Sequence, residues 1–284
     1  MPKAMVISPH ADDAAIFCGG TMAKWTAAGW DIVLVRVTDD ATDSVGLTME
    51  ETVARNRTEL REAAAVLGIE TIEELGFRTD YLSDVAPSTI RERMVYMLRK
   101  HRPYAVFSFD PDGRYEGNLD HKVTAMAVEE AYWVACYDLH HPEHFEEGLA
   151  SFTPCERWYF ARELPEVTRA EDITDFLATK IEAVCRHKTQ LAAVANLSRL
   201  QVRTWGRTSP LLEAAIAGEV QPIVEMAMTS GAQAAAAAGG LPEGRAAELF
   251  RVVRFGDLEP LMGQITEVDP DAEPAPQRPW LGNA

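Results

Sequence analysis

Two short stretches of the chain bring histidine and acidic residues together. PHADD places His10, Asp12 and Asp13 within four positions, and NLDH places Asn118, Asp120 and His121 within another four. Two imidazoles and one carboxylate from separate loops make a three-ligand site that leaves coordination positions open for water, as a catalytic Zn²⁺ requires. Fe²⁺ or another divalent metal accepts the same set, so the residue types alone leave the metal open. Adjacent acids in a turn point in different directions and can take different tasks. If Asp13 joins His10 and His121 on the metal, Asp12 is left beside the activated water as a general base.

Each stretch follows an apolar run and must be positioned by it. KAMVIS, from Lys3 to Ser8, reads as a buried strand that delivers the His10 loop, and YAVFSFD, from Tyr104 to Asp110, reads as the strand before NLDH. Between them lie a helical stretch from Thr21 to Gly29, the strand DIVLVRVTD, and a helix opened by Thr48 and Glu51 at capping-box spacing and closed at Gly68. A weaker strand, TIEELGF, and a helix opened by a second such pair, Thr89 and Glu92, complete this part. A helix from about His121 to Tyr137 and a strand in CERWYFA follow NLDH. The alternation predicts an α/β, Rossmann-like three-layer sandwich with a mostly parallel sheet, in which ligands bind beyond the carboxyl ends of the strands. The first turn carries HADD where a dinucleotide site needs GxGxxG, so nucleotide binding is disfavoured.

Residues 1–195 read as one domain, and residues 196–284 as a C-terminal helical extension with a proline-rich tail packed on it. The pattern predicts helices over Asp172–Leu191, Pro210–Ala238 and Glu243–Val253. Pro270, Pro274, Pro276 and Pro279 make the tail from Val268 extended.

The composition narrows the partners. The 284 residues are 47% hydrophobic and 25% charged, with 44 acidic against 27 basic side chains and a formal net charge of -17. That balance argues against nucleic-acid or anionic-membrane partners and for a small-molecule substrate. There is no apolar run of the ~20 residues that cross a bilayer and no signal-peptide pattern, so a cytoplasmic protein is expected. Cys18, Cys136, Cys155 and Cys185 form no CxxC pair and read as buried thiols.

PHADDA followed by FCGGT, with NLDH after a later strand, resembles the LmbE-like (PIG-L-like) zinc-dependent N-deacetylases, whose motifs are written PHPDDE with GCGGT, and HPDH. The resemblance continues through RTELREAAAVLG, HHPEHFEEGL and DITDFLATKIEAVCRHKTQL, covering roughly residues 3 to 195. It implies a hydrolase that removes an acetyl group from an N-acetylglucosamine-containing substrate. It also implies that His10, Asp13 and His121 hold the metal, Asp12 is the general base, Asp120 orients its neighbours, and the protein is a homo-oligomer. Ala14 stands where the family often has glutamate. Asn118 stands where the family has a histidine thought to polarise the carbonyl and protonate the leaving amine. An asparagine carries no such proton, yet its amide can donate to an oxyanion. The substitution leaves three alternatives open: a metal-dependent hydratase, a non-sugar amidohydrolase, and a non-catalytic metal- or sugar-binding relative.

His140, His141, His144 and His187 are candidates for the missing acid, with a polar surface loop expected for the first three. Asp39, Asp40, Asp43 and Asp80 read as solvated loop acids, Arg57 and Glu59 as an exposed helix face, and Trp25 and Trp133 as core residues.

Overall fold

The computed structural model describes residues 1–267 and 269. Its strands are β1 (Lys3–Ser8), β2 (Asp31–Thr38), β3 (Thr71–Phe77), β4 (Ala105–Phe109), β5 (Glu156–Phe160), β6 (Arg169–Asp172) and β7 (Ala247–Arg254). Between and after them come helices α1 (Asp13–Ala27), α2 (Met49–Val66), α3 (Pro87–His101), α4 (Leu119–Val134), α5 (Pro142–Glu146), α6 (Leu177–Arg186), α7 (Lys188–Thr204), α8 (Pro210–Ile216), α9 (Gln221–Ala238) and α10 (Met262–Ile265). No helix among the described residues is long and apolar enough to cross a membrane.

The seven strands form one sheet in the order β3-β2-β1-β4-β5-β7-β6. β1 to β5 run parallel, and β7 runs antiparallel to both β5 and β6. β1 and β4 are buried on both faces, which is why their sequences read as unbroken apolar runs. One layer packs Trp25, Leu60 and Val184 of α1, α2 and α6 against Val6 and Phe107. The opposite layer packs Met94 and Leu98 of α3 and Val128 and Tyr132 of α4 against Met5 and Val106. The chain passes from β1 to β2 on one side, and β4 lies on the other. The strand order therefore reverses between β1 and β4, and this is where a crevice opens.

Several elements differ from the sequence expectation. α1 begins at Asp13, inside the stretch read as loop, and is kinked at Cys18, whose φ and ψ are -138° and 17°. The kink is held from across the fold. Glu248 on β7 accepts the backbone N–H of Gly20 (3.0 Å) and Thr21 (2.8 Å) and the Thr21 hydroxyl (2.6 Å), capping the second half of the helix. A Cβ on Gly20 would sit 2.6 Å from the Ile173 side chain, so this glycine serves helix packing and not the metal loop. The Thr48–Glu51 capping box forms, whereas α3 starts at Pro87 without Thr89 as a cap.

The helix expected over Glu243–Val253 is instead strand β7. Its Phe250 packs edge-on against Phe107 and Trp158, with ring centroids 5.6 and 5.3 Å away, and burial in the sheet overrides the weak helical pattern. Breaks at His187 and at Gly218, where φ is 97°, divide the other two long predicted helices. The proline-rich tail lies outside the described residues, apart from Asp269. Of the cysteines only Cys18 is buried, and Trp133 is exposed, contrary to the expectation of a core position.

Candidate metal centre

The loop after β1 is tied down from below. Ser8 donates to the His10 carbonyl at 2.5 Å and accepts the Ala14 N–H at 3.1 Å, while Thr38 of β2 donates twice to the Pro9 carbonyl, from its backbone N–H and its hydroxyl. Asp13 is the first residue of α1, so its carboxylate stands at the positive end of that helix. Asn118 caps α4, its Oδ1 accepting the Asp120 N–H at 2.8 Å. Asparagine is a favoured residue at such a position, and the cap fixes the amide so that Nδ2 is the group left to donate outward.

Three buried donors converge between the two loops. His10 Nδ1 lies 3.0 Å from His121 Nε2 and 3.2 Å from Asp13 Oδ2, and His121 Nε2 lies 3.3 Å from Asp13 Oδ1. A tetrahedral ion with bonds of about 2.0–2.1 Å sets its ligand atoms about 3.3 Å apart, so the triangle fits a divalent ion of zinc's size. Each imidazole is turned by a carboxylate on its other nitrogen. His10 Nε2 faces Asp120 Oδ2 at 3.4 Å, and His121 Nδ1 faces Glu116 Oε2 at 3.0 Å. Such outer carboxylates set the tautomer and raise ligand basicity. Asp120 is itself fixed by the N–H groups of Asp80 (2.7 Å) and Leu82 (3.3 Å), and Glu116 pairs with Arg162 at 3.3 Å.

The electrostatics suit a cation. Burial disfavours charge on His10, yet Asp120 and Asp13 hold its pKa well above the ordinary value. Burial alone would raise the Asp13 carboxyl, but the facing His121 and His10 rings bring it well below the carboxylate range. Burial also raises the Asp12 carboxyl, and the Asp13 charge adds to the rise. The Asp12 carboxylate accepts no hydrogen bond among the described residues and retains a small accessible area, 8%.

Asp40 and Asp43 belong to the site rather than to a solvated loop. Each places a carboxylate oxygen within 4.8 Å of a His10 ring nitrogen. Asp40 is fully buried in a left-handed conformation (φ 56°), bonded to Arg36 (3.1 Å) and Thr38 (3.1 Å); burial, opposed by His10 and Arg36, raises its pKa to about 7. The other acids are structural. Asp39 accepts from Ala41 and Thr79, the Asp80 carboxylate accepts from Thr42, and the half-buried Glu59 accepts from Thr189 at the start of α7. Arg57 is exposed and pairs with Glu74.

The candidate histidines separate. His140, His141 and His144 stand apart from the donor triangle, and His144 is buried, not on the surface as expected. His187 is buried at the α6–α7 junction with neither ring nitrogen bonded among the described residues; burial lowers its pKa to about 4 against the pull of Asp13. Sequence reasoning missed Glu116, although its place two residues before Asn118 was a usable signal. Its carboxylate also accepts the Asn118 N–H at 2.8 Å.

Fold and donor triangle together define an α/β protein with a candidate metal centre at the sheet's switch point. The GlcNAc-PI de-N-acetylase (PIG-L) family matches residues 5–132. Diacetylchitobiose deacetylase of Thermococcus kodakarensis is 31% identical over 192 residues, covering 66% of this chain and 70% of that one. Two solved structures share the fold. N,N'-diacetylchitobiose deacetylase from Pyrococcus horikoshii has a TM-score of 0.72 at 23% identity, over 93% of this chain and 86% of that one. GalB, the 4-carboxy-2-hydroxymuconate hydratase of Pseudomonas putida KT2440, has a TM-score of 0.61 at 19% identity, over 89% and 95%. The chain belongs to the PIG-L (LmbE-like) family.

Proposed function

We propose that this protein is a zinc-dependent hydrolase that cleaves the N-acyl amide of a small amine, with an N-acetylated amino sugar or its conjugate as the simplest substrate. The observation that carries this reading is the triangle of His10, Asp13 and His121 with an unbonded Asp12 carboxylate beside it. The family relative named as a diacetylchitobiose deacetylase supports it.

His10, Asp13 and His121 would hold a divalent ion, which when bound would supply a Lewis acid to polarise the amide carbonyl and acidify water. Asp12 takes the proton of the attacking water, for its side chain caps no helix N–H and is left to accept from that water. Asn118 Nδ2 donates to the carbonyl oxygen as charge develops there. Asp12 then returns the proton to the amide nitrogen, the C–N bond breaks, and a carboxylic acid and an amine are released. His10 and His121 hold their positions throughout because Asp120 and Glu116 fix their outer nitrogens.

Asn118, in the family's histidine position, gives a hydratase a place as the second reading. The charge of the site favours the amidase. Asp12, Asp13, Asp40 and Asp43 surround His10, while Arg36 is already paired with Asp40 and Arg162 with Glu116. A polycarboxylate substrate meets repulsion there, whereas an amide whose product is an ammonium ion does not.

The test is elemental analysis of protein purified without chelator, followed by amine release from N-acetylglucosamine and its oligomers. About one zinc per chain with amine released is expected. Zinc without amine release from any N-acyl amide would remove the hydrolase reading, and no zinc would remove the metal centre.

A further inference from the structure

The turn after β2 carries more acceptors than its own surroundings satisfy. Asp40 and Asp43 each bring a carboxylate oxygen within 4.8 Å of a His10 ring nitrogen, so the turn adjoins the donor triangle at His10. The Asp40 carboxylate is answered by Arg36 and Thr38. The Asp43 carboxylate accepts only from the Gln190 amide, at 3.4 Å, and no lysine or arginine pairs with it among the described residues. Asp12, Asp13 and Asp80 add to the negative charge around it. Asp43 is half-buried, so a ligand group can reach it.

Two buried side-chain amides end at the same turn. Asn56 of α2 donates from Nδ2 to the Asp40 carbonyl at 3.1 Å, and the Asp43 N–H donates to that same carbonyl at 3.3 Å. Gln190 of α7 donates from Nε2 to Asp43 itself. The two helices are pinned together there, because Glu59, three residues beyond Asn56, accepts the N–H and the hydroxyl of Thr189, each at 2.9 Å. These bonds fix how each amide faces. The nitrogen is spent on the turn, and the oxygen, Asn56 Oδ1 or Gln190 Oε1, is buried with no donor among the described residues. Buried acceptors are ordinarily satisfied, so two of them beside an unanswered carboxylate demand donors brought by a ligand.

The chemistry of the acceptors selects the donor. A sugar hydroxyl brings one proton and no charge, and leaves Asp43 unanswered. A calcium ion takes roughly six to eight oxygens, more than this turn offers once Arg36 and Thr38 hold Asp40. A primary ammonium brings three N–H donors and a positive charge, which suits one carboxylate and two amide oxygens. We propose that the turn from Asp40 to Asp43, with Asn56 and Gln190, binds an ammonium group carried by the substrate, and that the substrate is therefore the mono-N-acyl derivative of a diamine, with its free amine a short spacer away from the scissile nitrogen. The inference rests on the amide-hydrolase reading above and deepens it by naming the substrate class.

The experiment compares amides that differ in the ammonium alone. N-acetylethylenediamine is set against N-propylacetamide, and N-acetylputrescine against N-pentylacetamide, with a methyl group in place of the amine in each pair, for the zinc-loaded full chain and for Asp43→Asn. In the wild type kcat/KM should favour the amine-bearing member of at least one pair by about 10–100-fold. In Asp43→Asn that preference should fall about tenfold or more. No preference in either pair, or a preference that Asp43→Asn leaves unchanged, overturns the proposal. Gln190→Met, which removes the amide oxygen at similar length, replaces the variant if Asp43→Asn does not fold. A metal ion is the other source of positive charge, and elemental analysis separates it: a second ion per chain that Asp43→Asn loses gives the turn to a metal and overturns the ammonium. If the wild type cleaves none of the four amides, the hydrolase reading fails by itself, and the turn is then judged by calorimetric binding of the same pairs. Binding of the amine-bearing member alone, lost in Asp43→Asn, keeps the ammonium site, and absent or unaltered binding removes it.

Discussion

Among the described residues, groups with the composition of a metal site lie in two places, around His10 and at α5, and only the first has the arrangement. His10, Asp13 and His121 meet at one end of the sheet; His141, Glu143 and His144 meet beside α5. In the first, each ring turns one nitrogen inward and rests the other on a carboxylate. In the second, both His144 nitrogens are engaged: Nδ1 accepts from the Arg99 guanidinium at 3.2 Å and Nε2 faces Glu92 at 2.9 Å. Arg99 is itself buried and donates to the carbonyls of Ala135, Tyr137, His140 and His141, so the second cluster is built around a fixed cation. A dication placed there would face that guanidinium at close range. Proximity of ligand atoms is therefore a weaker sign of a metal than the identity of what holds the rings from behind.

The largest effect expected from that contrast is at His10. His10→Ala should lose both zinc and amine release, while His144→Ala should retain zinc at about one per chain; mass-spectrometric metal content decides, and zinc retained by His10→Ala would break the distinction. Next comes Asp12, which the reading places beside the metal and not on it. Asp12→Asn should keep zinc and lower kcat about 10²–10⁴-fold, and loss of zinc would make Asp12 a ligand instead. Smaller again is the effect of the outer carboxylates. Glu116→Gln should weaken zinc binding about 10–100-fold in a competition titration, whereas Glu92→Gln, the matching change behind His144, should leave zinc affinity as it was. Equal responses at Glu116 and Glu92 would erase the difference between the clusters.

Much of the first cluster was legible in the sequence because His10 and His121 each follow an apolar run, and buried parallel strands write their positions plainly. The start of α1 was not, since Gly19 and Gly20 resemble a loop until Ile173 and Glu248, remote in sequence, show what they pack against. The acids were misjudged for a related reason. Asp40 looks like any loop aspartate, and its burial depends on Arg36 and Thr38 reaching it through the β2 turn. His144 looked like a surface residue because Arg99, forty-five positions earlier, is what buries it. Strand β7 was hidden by the same non-locality. Its helical pattern is weak, and the partners that make it a strand, β5 and β6, lie between 75 and 98 residues upstream of the residues they pair with, from Asp172↔Ala247 to Glu156↔Arg254. Local pattern thus recovered what each segment does alone and missed what a distant side chain imposes.

The gentlest test of the comparison is His141→Gly. His141 sits in the left-handed region, with φ 55° and ψ 62°, and its Nδ1 makes only a partly exposed contact with Glu143 at 3.3 Å. A non-glycine residue in that region carries a strain of roughly 1–2 kcal/mol, which glycine relieves. Glycine also costs the unfolded chain more entropy, about 0.5–1 kcal/mol, and the ion pair lost contributes less than about 1 kcal/mol. These terms nearly cancel, so thermal unfolding should move by no more than a few degrees in either direction. Zinc content and amine release should stay at the wild-type level. The result is informative because a ligand behaves otherwise: if His141 held an ion with His144 and Glu143, removing its imidazole would lower metal content and the unfolding temperature together. A joint fall of both would move the second cluster into the class of the first.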